Sequence, residues 1–385
     1  MAMIKKKATV VIIGGGILGA SVAYNLARQG LKDIVLVEKS YLTSGATGRC
    51  GAGIRQQWGT EMNCILSRES VRIFETLAEE LEYPYGIDYR QNGYLLLAYS
   101  PKEREQFSKN VALQNSLGIP SRQVTSAEAR DIVPHLNIDG LLGGAYCHTD
   151  GHANPFHVTF AYARAAERMG VNLYSNTEVL SIEKDKGRVC RVVTSQGSID
   201  CEIVVNTAGG HAAVIGEMVG LDLPVYPERH QIMISEPVDA FQVPMVICMS
   251  HHFYIQQTTH GSFIMGQGDP NEPKGFNINP SWQFSVELAK KITSVLPHLK
   301  SLNIIRQWAG LYDMCPDAQP ILGESPEVKG FFTASGFSGH GFMIAPYTAK
   351  LMAQAILGEE PEINIDILNY HRFASGQLIL EPAVV

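Results

Sequence analysis

Thr9-Val10-Val11-Ile12-Ile13 is a β-branched run that stops at Gly14, and the glycines beyond it leave few folds open. Such a run reads as a buried parallel strand. Gly14-Gly15-Gly16-Ile17-Leu18-Gly19 then supplies G-x-G-x-x-G at 14, 16 and 19. The first glycine permits a tight turn, the second lets backbone approach a pyrophosphate, and the third lets helix and strand pack closely. Ile17 to Gln29 carries Leu18, Val22 and Leu26 at helical spacing, with Gly30 as the stop. The free N–H groups and positive end of that helix face the phosphates. Ile34-Val35-Leu36-Val37 is the second strand. Glu38 closes it, about 20 residues past the glycines, where a carboxylate accepts ribose hydroxyls. This order makes a βαβ dinucleotide-binding unit; on the motif alone, FAD and NAD both remain open.

The chain has 385 residues, more than one compact core supports, so two domains are expected. Helical patterns cover 61–82, 101–116, 155–170 and 281–296, and a last helix runs from Pro346 to Leu357. Strand patterns cover 93–98, 171–174, 191–193, 202–206 and 330–334. Between 224 and 270 the texture changes to short strands with turn signals (231–235, 253–257, 262–265), which suggests an antiparallel sheet. The expected fold is mixed α/β and α+β: a discontinuous Rossmann-like domain from 1–85, 140–223 and 306–385, with an antiparallel-sheet substrate domain inserted from 86–139 and 224–305.

Hydrophobic residues at 45% and charged residues at 18% are those of an ordinary globular protein. A net charge of −7 argues against nucleic acid or an anionic membrane as partner. Lys5-Lys6-Lys7 reads as a solvated start before the first strand. The seven cysteines form no C-x-x-C pair, so no metal site is expected, and their irregular spacing fits reduced thiols in a cytosol. The longest apolar run, Ala8 to Ala20, is too short to span a bilayer and is split by glycines.

Three further stretches favour FAD. Ser44-Gly45-Ala46-Thr47-Gly48-Arg49-Cys50-Gly51-Ala52-Gly53 is a small-residue run against which a planar ring can lie. Val205-Asn206-Thr207-Ala208-Gly209-Gly210 is a second strand-then-glycine turn, suited to passing the phosphates again. Gly336-Phe337-Ser338-Gly339-His340-Gly341-Phe342 precedes the last helix, whose N–H groups and dipole can stabilise negative charge on a reduced flavin.

On these stretches, and on Arg49 to Trp58 with Gly336 to Met343 most of all, the chain resembles the D-amino-acid oxidase superfamily of FAD-dependent amine oxidoreductases. Within it the chain is most similar to the β subunits of heteromeric L-proline dehydrogenase and sarcosine oxidase. The resemblance implies a cofactor set that also takes in Lys39 and Val179. It implies that Arg55 holds a substrate carboxylate and that Tyr254 and Tyr312 stand near the substrate, with His340 in the flavin turn and His230 as further candidates. A guanidinium suits a carboxylate because it binds bidentately. The expected reaction is hydride transfer from a neutral amine, with the flavin as acceptor and no general base required. Proline, sarcosine, glycine and related amines all fit.

The departures from the relatives matter as much. Gly310 stands where monomeric sarcosine oxidase attaches FAD through a cysteine, with Cys315 out of register, so the FAD is expected to be non-covalent. Met265 and Met343 fall where that enzyme has lysines over the flavin. Pro155 falls where heterotetrameric sarcosine oxidase anchors FMN on a histidine. The resemblance therefore implies a second, α-type subunit that receives the electrons, with FMN held non-covalently at the interface. A self-sufficient oxidase that makes hydrogen peroxide is the alternative enzyme; a non-catalytic, electron-carrying flavoprotein subunit is the alternative of another class.

Overall fold

The computed structural model describes residues 4–241 and 244–382. Its first layer is a six-stranded sheet in the order Ile321–Glu324, Phe331–Ser335, Ile203–Asn206, Val10–Ile13, Ile34–Val37, Asn172–Tyr174. All neighbours are parallel except the first pair, which is antiparallel. The pleat explains why its central strands read as unbroken apolar runs. Val10, Ile12, Ile34 and Leu36 face helices Ile17–Arg28, Pro155–Arg168 and Gly341–Ile356. Val11, Ile13, Val35 and Val37 face a three-stranded antiparallel sheet spanning Val179–Asp200. A strand buried on both faces needs apolar residues at every position.

The second layer is an eight-stranded sheet in the order Ile304–Met314, Tyr226–Pro237, Ser262–Gln267, Phe253–Gln257, Met245–Cys248, Tyr94–Ala98, Gly143–Cys147, Ser121–Val124. Its pairs are antiparallel except Met245–Cys248 against Tyr94–Ala98. Leu95, Leu97, Phe253, Ile255 and Met265 pack under helix Trp282–Val295 on one face. Tyr94, Leu96, Met245, Ile247 and Tyr254 lie on the other.

The architecture is the mixed one expected, with two corrections. The sequence pattern puts residues 140–147 and 306–314 in the dinucleotide-binding part, but strands Gly143–Cys147 and Ile304–Met314 belong to the eight-stranded sheet. Their partners, Tyr94–Ala98 and Tyr226–Pro237, are remote in sequence, so no local pattern reveals the pairing. The last helix starts at Gly341 and carries Pro346 inside it. Proline suggests a helix start because it fits the first turn. Here buried Ile344, Ala345 and Tyr347 hold the helix in place around the missing hydrogen bond.

Candidate active site

The glycine cradle is set by close approaches. Gly14 has φ +117°, and a Cβ there would stand 2.5 Å from the Thr207 carbonyl oxygen. A Cβ on Gly19 would stand 1.9 Å from the Gly14 carbonyl oxygen, so helix and strand meet only because it is absent. Gly16 is the N-cap of helix Ile17–Arg28 and has no side chain to cap it, and no acid occupies the first turn. The Ile17 N–H donates to Thr47 Oγ1 at 3.1 Å, and Leu18 follows in the same turn. Thr207 Oγ1 donates to the Ile13 carbonyl at 2.9 Å, fixing the Thr207-Ala208-Gly209 turn beside Gly14.

Glu38 sits at the end of its strand as expected. Its carboxylate accepts the Gly15 and Ser40 N–H groups, both at 2.8 Å, and the Ser44 hydroxyl at 3.1 Å. Lys39 Nζ lies 2.9 Å from His211 Nε2. Val179 is buried against the other face of the six-stranded sheet. Past Gly45, a 3-10 turn over Ala46–Arg49 brings Arg49 back to the Ser44 carbonyl (3.0 Å) and across to the Ala309 carbonyl (2.9 Å). A Cβ on Gly310 would fall 2.9 Å from the Arg49 Cβ.

The chemistry-bearing side chains converge on a cavity of about 90 Å³ between the eight-stranded sheet and the start of helix Gly341–Ile356. One wall is Cys50, Gly51 and Ala52; another is Gly339, His340, Phe342 and Met343. The sheet contributes Tyr94, Met245, Ile247, Tyr254 and Tyr312. Small residues are required on this boundary: a Cβ on Gly51 would strike the Tyr254 ring at 2.9 Å, and one on Gly339 the Tyr312 ring at 2.2 Å.

Arg55 reaches the cavity while only 4% exposed. Its guanidinium lies 3.8 Å over the Trp58 ring and donates to the Gln57 carbonyl at 3.3 Å. Trp58 also meets His340, ring centroids 4.8 Å apart. Both ring nitrogens of His340 are buried, and among the described residues the nearest polar group that acts on the ring is the Ser338 backbone, too poorly placed for a full hydrogen bond, so the ring fits a polar group of a bound molecule. Burial, and then the Arg55 charge, hold the imidazole down at about 3. Burial likewise pushes the Tyr254 and Tyr312 hydroxyls up, keeping both as neutral donors. No carboxylate lines the cavity among the described residues.

The flavin-type turn is built as its glycines suggest. Gly336 has φ +74°, and its N–H donates to the Asp313 carboxylate at 2.8 Å. The Ser338 N–H donates to the Asp313 carbonyl at 3.0 Å. Helix Gly341–Ile356 starts with no side-chain cap and no acid in its first turn. Neither of the two helix ends expected to face negative charge carries an acid in its first turn or a cap from its own N-cap side chain, and a dinucleotide fits the donor set.

Two expected residues stand elsewhere. His230 does not line the cavity: it stacks behind Tyr312 at 3.6 Å and faces Glu228 at 3.3 Å. Met265 points into the core under helix Trp282–Val295, because the pleat turns Gly266, not Met265, toward Tyr254. Met343 does line the cavity.

Sequence reasoning misses three contributors. Tyr94 opens a strand that reads as core, and its ring fills space a Gly53 side chain would need. Trp58 has no role legible in the sequence. Asp150 is fully buried; it accepts the Gln56 N–H at 2.8 Å and the Gln57 side-chain amide at 2.9 Å. Desolvation pushes its carboxyl up to about 6. An acid flanked by polar turn residues gives no sequence signal of that burial.

The family model described as "FAD dependent oxidoreductase" matches residues 9–355. The chain is 31% identical to sarcosine oxidase subunit beta of Rhodobacter capsulatus, over 98% of this chain and 91% of that protein. It superposes on L-proline dehydrogenase from P. horikoshii with TM-score 0.93 and 36% identity, covering 98% and 100% of the two chains. It superposes on glycine oxidase from Geobacillus kaustophilus with TM-score 0.88 and 26% identity, covering 96% and 99%.

The depressed imidazole couples stability to pH. The folded value near 3 lies below the ordinary 6.5, so neutral His340 stabilises the fold above pH 6.5, and this contribution is lost as pH falls toward 3. Unfolding free energy should therefore drop more between pH 7 and pH 4 in the parent than in His340→Asn, which does not titrate. Equal drops in urea titrations would show that protons reach His340 in the folded state.

Proposed function

Because this chain belongs to the family of FAD dependent oxidoreductases, we propose that it dehydrogenates a small amino acid such as proline or sarcosine at its C–N bond, with Arg55 holding the substrate carboxylate. The observation that carries this reading is a buried guanidinium and a buried neutral imidazole on one small cavity, in a chain with two helix N-termini whose first turns hold no acid. The likeness to an L-proline dehydrogenase and to a sarcosine oxidase β subunit supports the substrate class.

In this reading FAD lies along Gly14–Gly19, Glu38, Lys39, residues 44–52, Val179, Thr207–Gly209, Gly310 and residues 336–343. FAD supplies the two-electron acceptor for the substrate hydride. Arg55 takes the carboxylate as a bidentate anion, with Trp58 fixing the guanidinium plane. Tyr254 and Tyr312 offer hydroxyls beside apolar rings, while Met245, Ile247 and Met343 present apolar surface to the substrate's carbon skeleton. Neutral His340 accepts a hydrogen bond without adding positive charge beside the amine. His230 acts through the Tyr312 ring it backs.

The cofactor is held without a covalent bond. Gly310 offers no thiol. Cys315 donates to the Gln319 and Gly336 carbonyls, and burial keeps it neutral with its pKa at about 11. Cys50 lines the cavity, yet burial raises it to about 11 as well. Acid precipitation of the isolated chain should leave a colourless pellet and a yellow supernatant containing FAD; flavin retained in the pellet would overturn this.

Arg55→Lys keeps the charge and loses the two-pronged geometry. A charge-assisted hydrogen bond is worth about 1.5–3 kcal/mol, so substrate affinity should fall by roughly ten- to a hundred-fold with FAD content unchanged. Unaltered anaerobic flavin reduction by a responsive amino acid would exclude this role for Arg55.

Electrons leave to a second redox centre on an α-type partner, with FMN held non-covalently between the chains. Support comes from the likeness to a β subunit, from Pro155 at the first turn of its helix, and from Met343 with no lysine on the cavity wall among the described residues. All seven cysteines are free, which suits a reducing, cytosolic setting. No described helix is long and apolar enough to cross a membrane. The likeness to a glycine oxidase favours the second reading, a self-sufficient oxidase. The two separate cleanly: the isolated chain should turn over rapidly with an artificial dye and slowly with air. Oxygen uptake as fast as dye reduction, with stoichiometric peroxide, would establish the oxidase instead.

A further inference from the structure

The stretch that carries Arg55 and Trp58 is gripped at both ends by carboxylates. At the near end, Asp150 accepts from Gln56 and Gln57. At the far end the partner comes from 322 residues along the chain: Glu381 accepts the Gly59 N–H at 2.9 Å. Its second oxygen accepts the Thr60 hydroxyl at 2.7 Å and the Asn63 amide at 3.0 Å. Thr60 is the N-cap of helix Glu61–Glu80, and its own side chain does not cap that helix. Glu381 therefore adds a negative charge at that helix start, beside Glu61 in the first turn. The fit is close, since a Cβ on Gly59 would stand 2.3 Å from the Pro382 ring.

The segment that delivers Glu381 is itself anchored. Arg372 and Asp317 form a two-pronged pair at 2.7 and 2.9 Å, with both side chains buried. Arg372 also donates to the Gln319 carbonyl at 2.8 Å, and the Ile379 N–H reaches the same Asp317 at 3.3 Å. Gln319 in turn donates to Thr60 Oγ1 at 3.3 Å. Residues 372–382 thus form a strap from the Cys315–Gln319 turn to the start of helix Glu61–Glu80. Between Gly59 and the cavity stands Trp58, whose indole N–H donates to the Arg55 carbonyl at 3.0 Å. The strap also acts through charge: burial lowers the Arg55 pKa, and the fields of Tyr94, Glu381 and Asp150 oppose it.

We propose that Glu381 is a positioning residue for substrate binding: by tying Gly59, Thr60 and Asn63 it fixes the Trp58 platform on which Arg55 presents its guanidinium to a carboxylate. This rests on the reading that Arg55 binds the substrate carboxylate. A plain helix cap would change stability alone; a positioning residue changes discrimination between substrates with and without a carboxylate.

The test uses the full chain with its FAD. L-Proline and sarcosine are compared with pyrrolidine and dimethylamine, which lack the carboxylate, in anaerobic flavin reduction. In Glu381→Gln, the concentration giving half-maximal reduction rate should rise roughly three- to ten-fold for the amino acids and stay within about two-fold for the simple amines. Limiting rates and FAD content should hold. Asn63→Ala, which removes one of the bonds described above, should move the same ratio less, and it carries the test if Glu381→Gln folds poorly. Arg55→Lys is the reference. If Arg55→Lys separates the two substrate classes while neither Glu381→Gln nor Asn63→Ala does, the strap is only structural and this inference falls. If Arg55→Lys fails to separate them, the carboxylate reading itself falls and takes the inference with it.

Discussion

The site depends on keeping a guanidinium charged in a place with almost no water. Moving such an ion into the interior costs several kcal/mol, and the cost persists unless the surroundings replace its hydration. Around Arg55 that replacement is distributed. The Trp58 face lies under the guanidinium, the Gln57 carbonyl accepts from it, and the fields of Asp150 and Glu381 act on it. The arrangement is reciprocal. Asp150 is pushed up to about 6 by its own burial, and Arg55 is among the groups that pull it back. A site assembled this way holds its charge in place before any ligand arrives, and that is the condition for recognising an anion without a reorganisation penalty.

The second dependence is on register between the two sheets. Asp313 lies next to Tyr312 on strand Ile304–Met314, and it takes the Gly336 N–H through its carboxylate and the Ser338 N–H through its carbonyl. A single residue therefore ties the sheet that carries Tyr312 to the turn that carries His340. Arg49 does the same on the other side, through the Ala309 carbonyl. Burial has pushed Asp313 up to about 6, so the tie is made by a carboxyl whose charge is itself costly. The backbone N–H groups directed at it offset that cost.

The parts legible in the sequence are those whose cause is local. Strand, glycines, helix and Glu38 occur in order because the close approach at Gly14 and Gly19 leaves no alternative residue there, and the structure keeps that order. The Gly336–Gly341 turn is legible for the same reason. The rest is set by distance or by parity. Tyr94 looks like any residue opening an apolar strand, and only the pairing with Met245–Cys248 turns it to the cavity. Asp150 and Glu381 become meaningful through partners far along the chain. Met265 is off by one position, and in a pleated strand one position is the opposite face. His230 is one ring too far back, hidden by the Tyr312 it supports.

The charge pattern around the cavity also explains why these groups do not interfere with one another. Arg55 needs to stay charged and His340 needs to stay neutral, although both are buried and both lie against the Trp58 indole. Two titratable cations this close compete, and the weaker base yields: Arg55 adds to burial in driving the imidazole down, while the guanidinium keeps its proton. The indole then has a fixed positive charge and an uncharged imidazole as neighbours. A small molecule with a carboxylate at one end and a neutral amine at the other matches that pair, and a dication or a dianion does not. The tyrosine hydroxyls, raised by burial, add donors without adding charge. The cavity's charge state thus follows from which of its buried groups gives up its proton first.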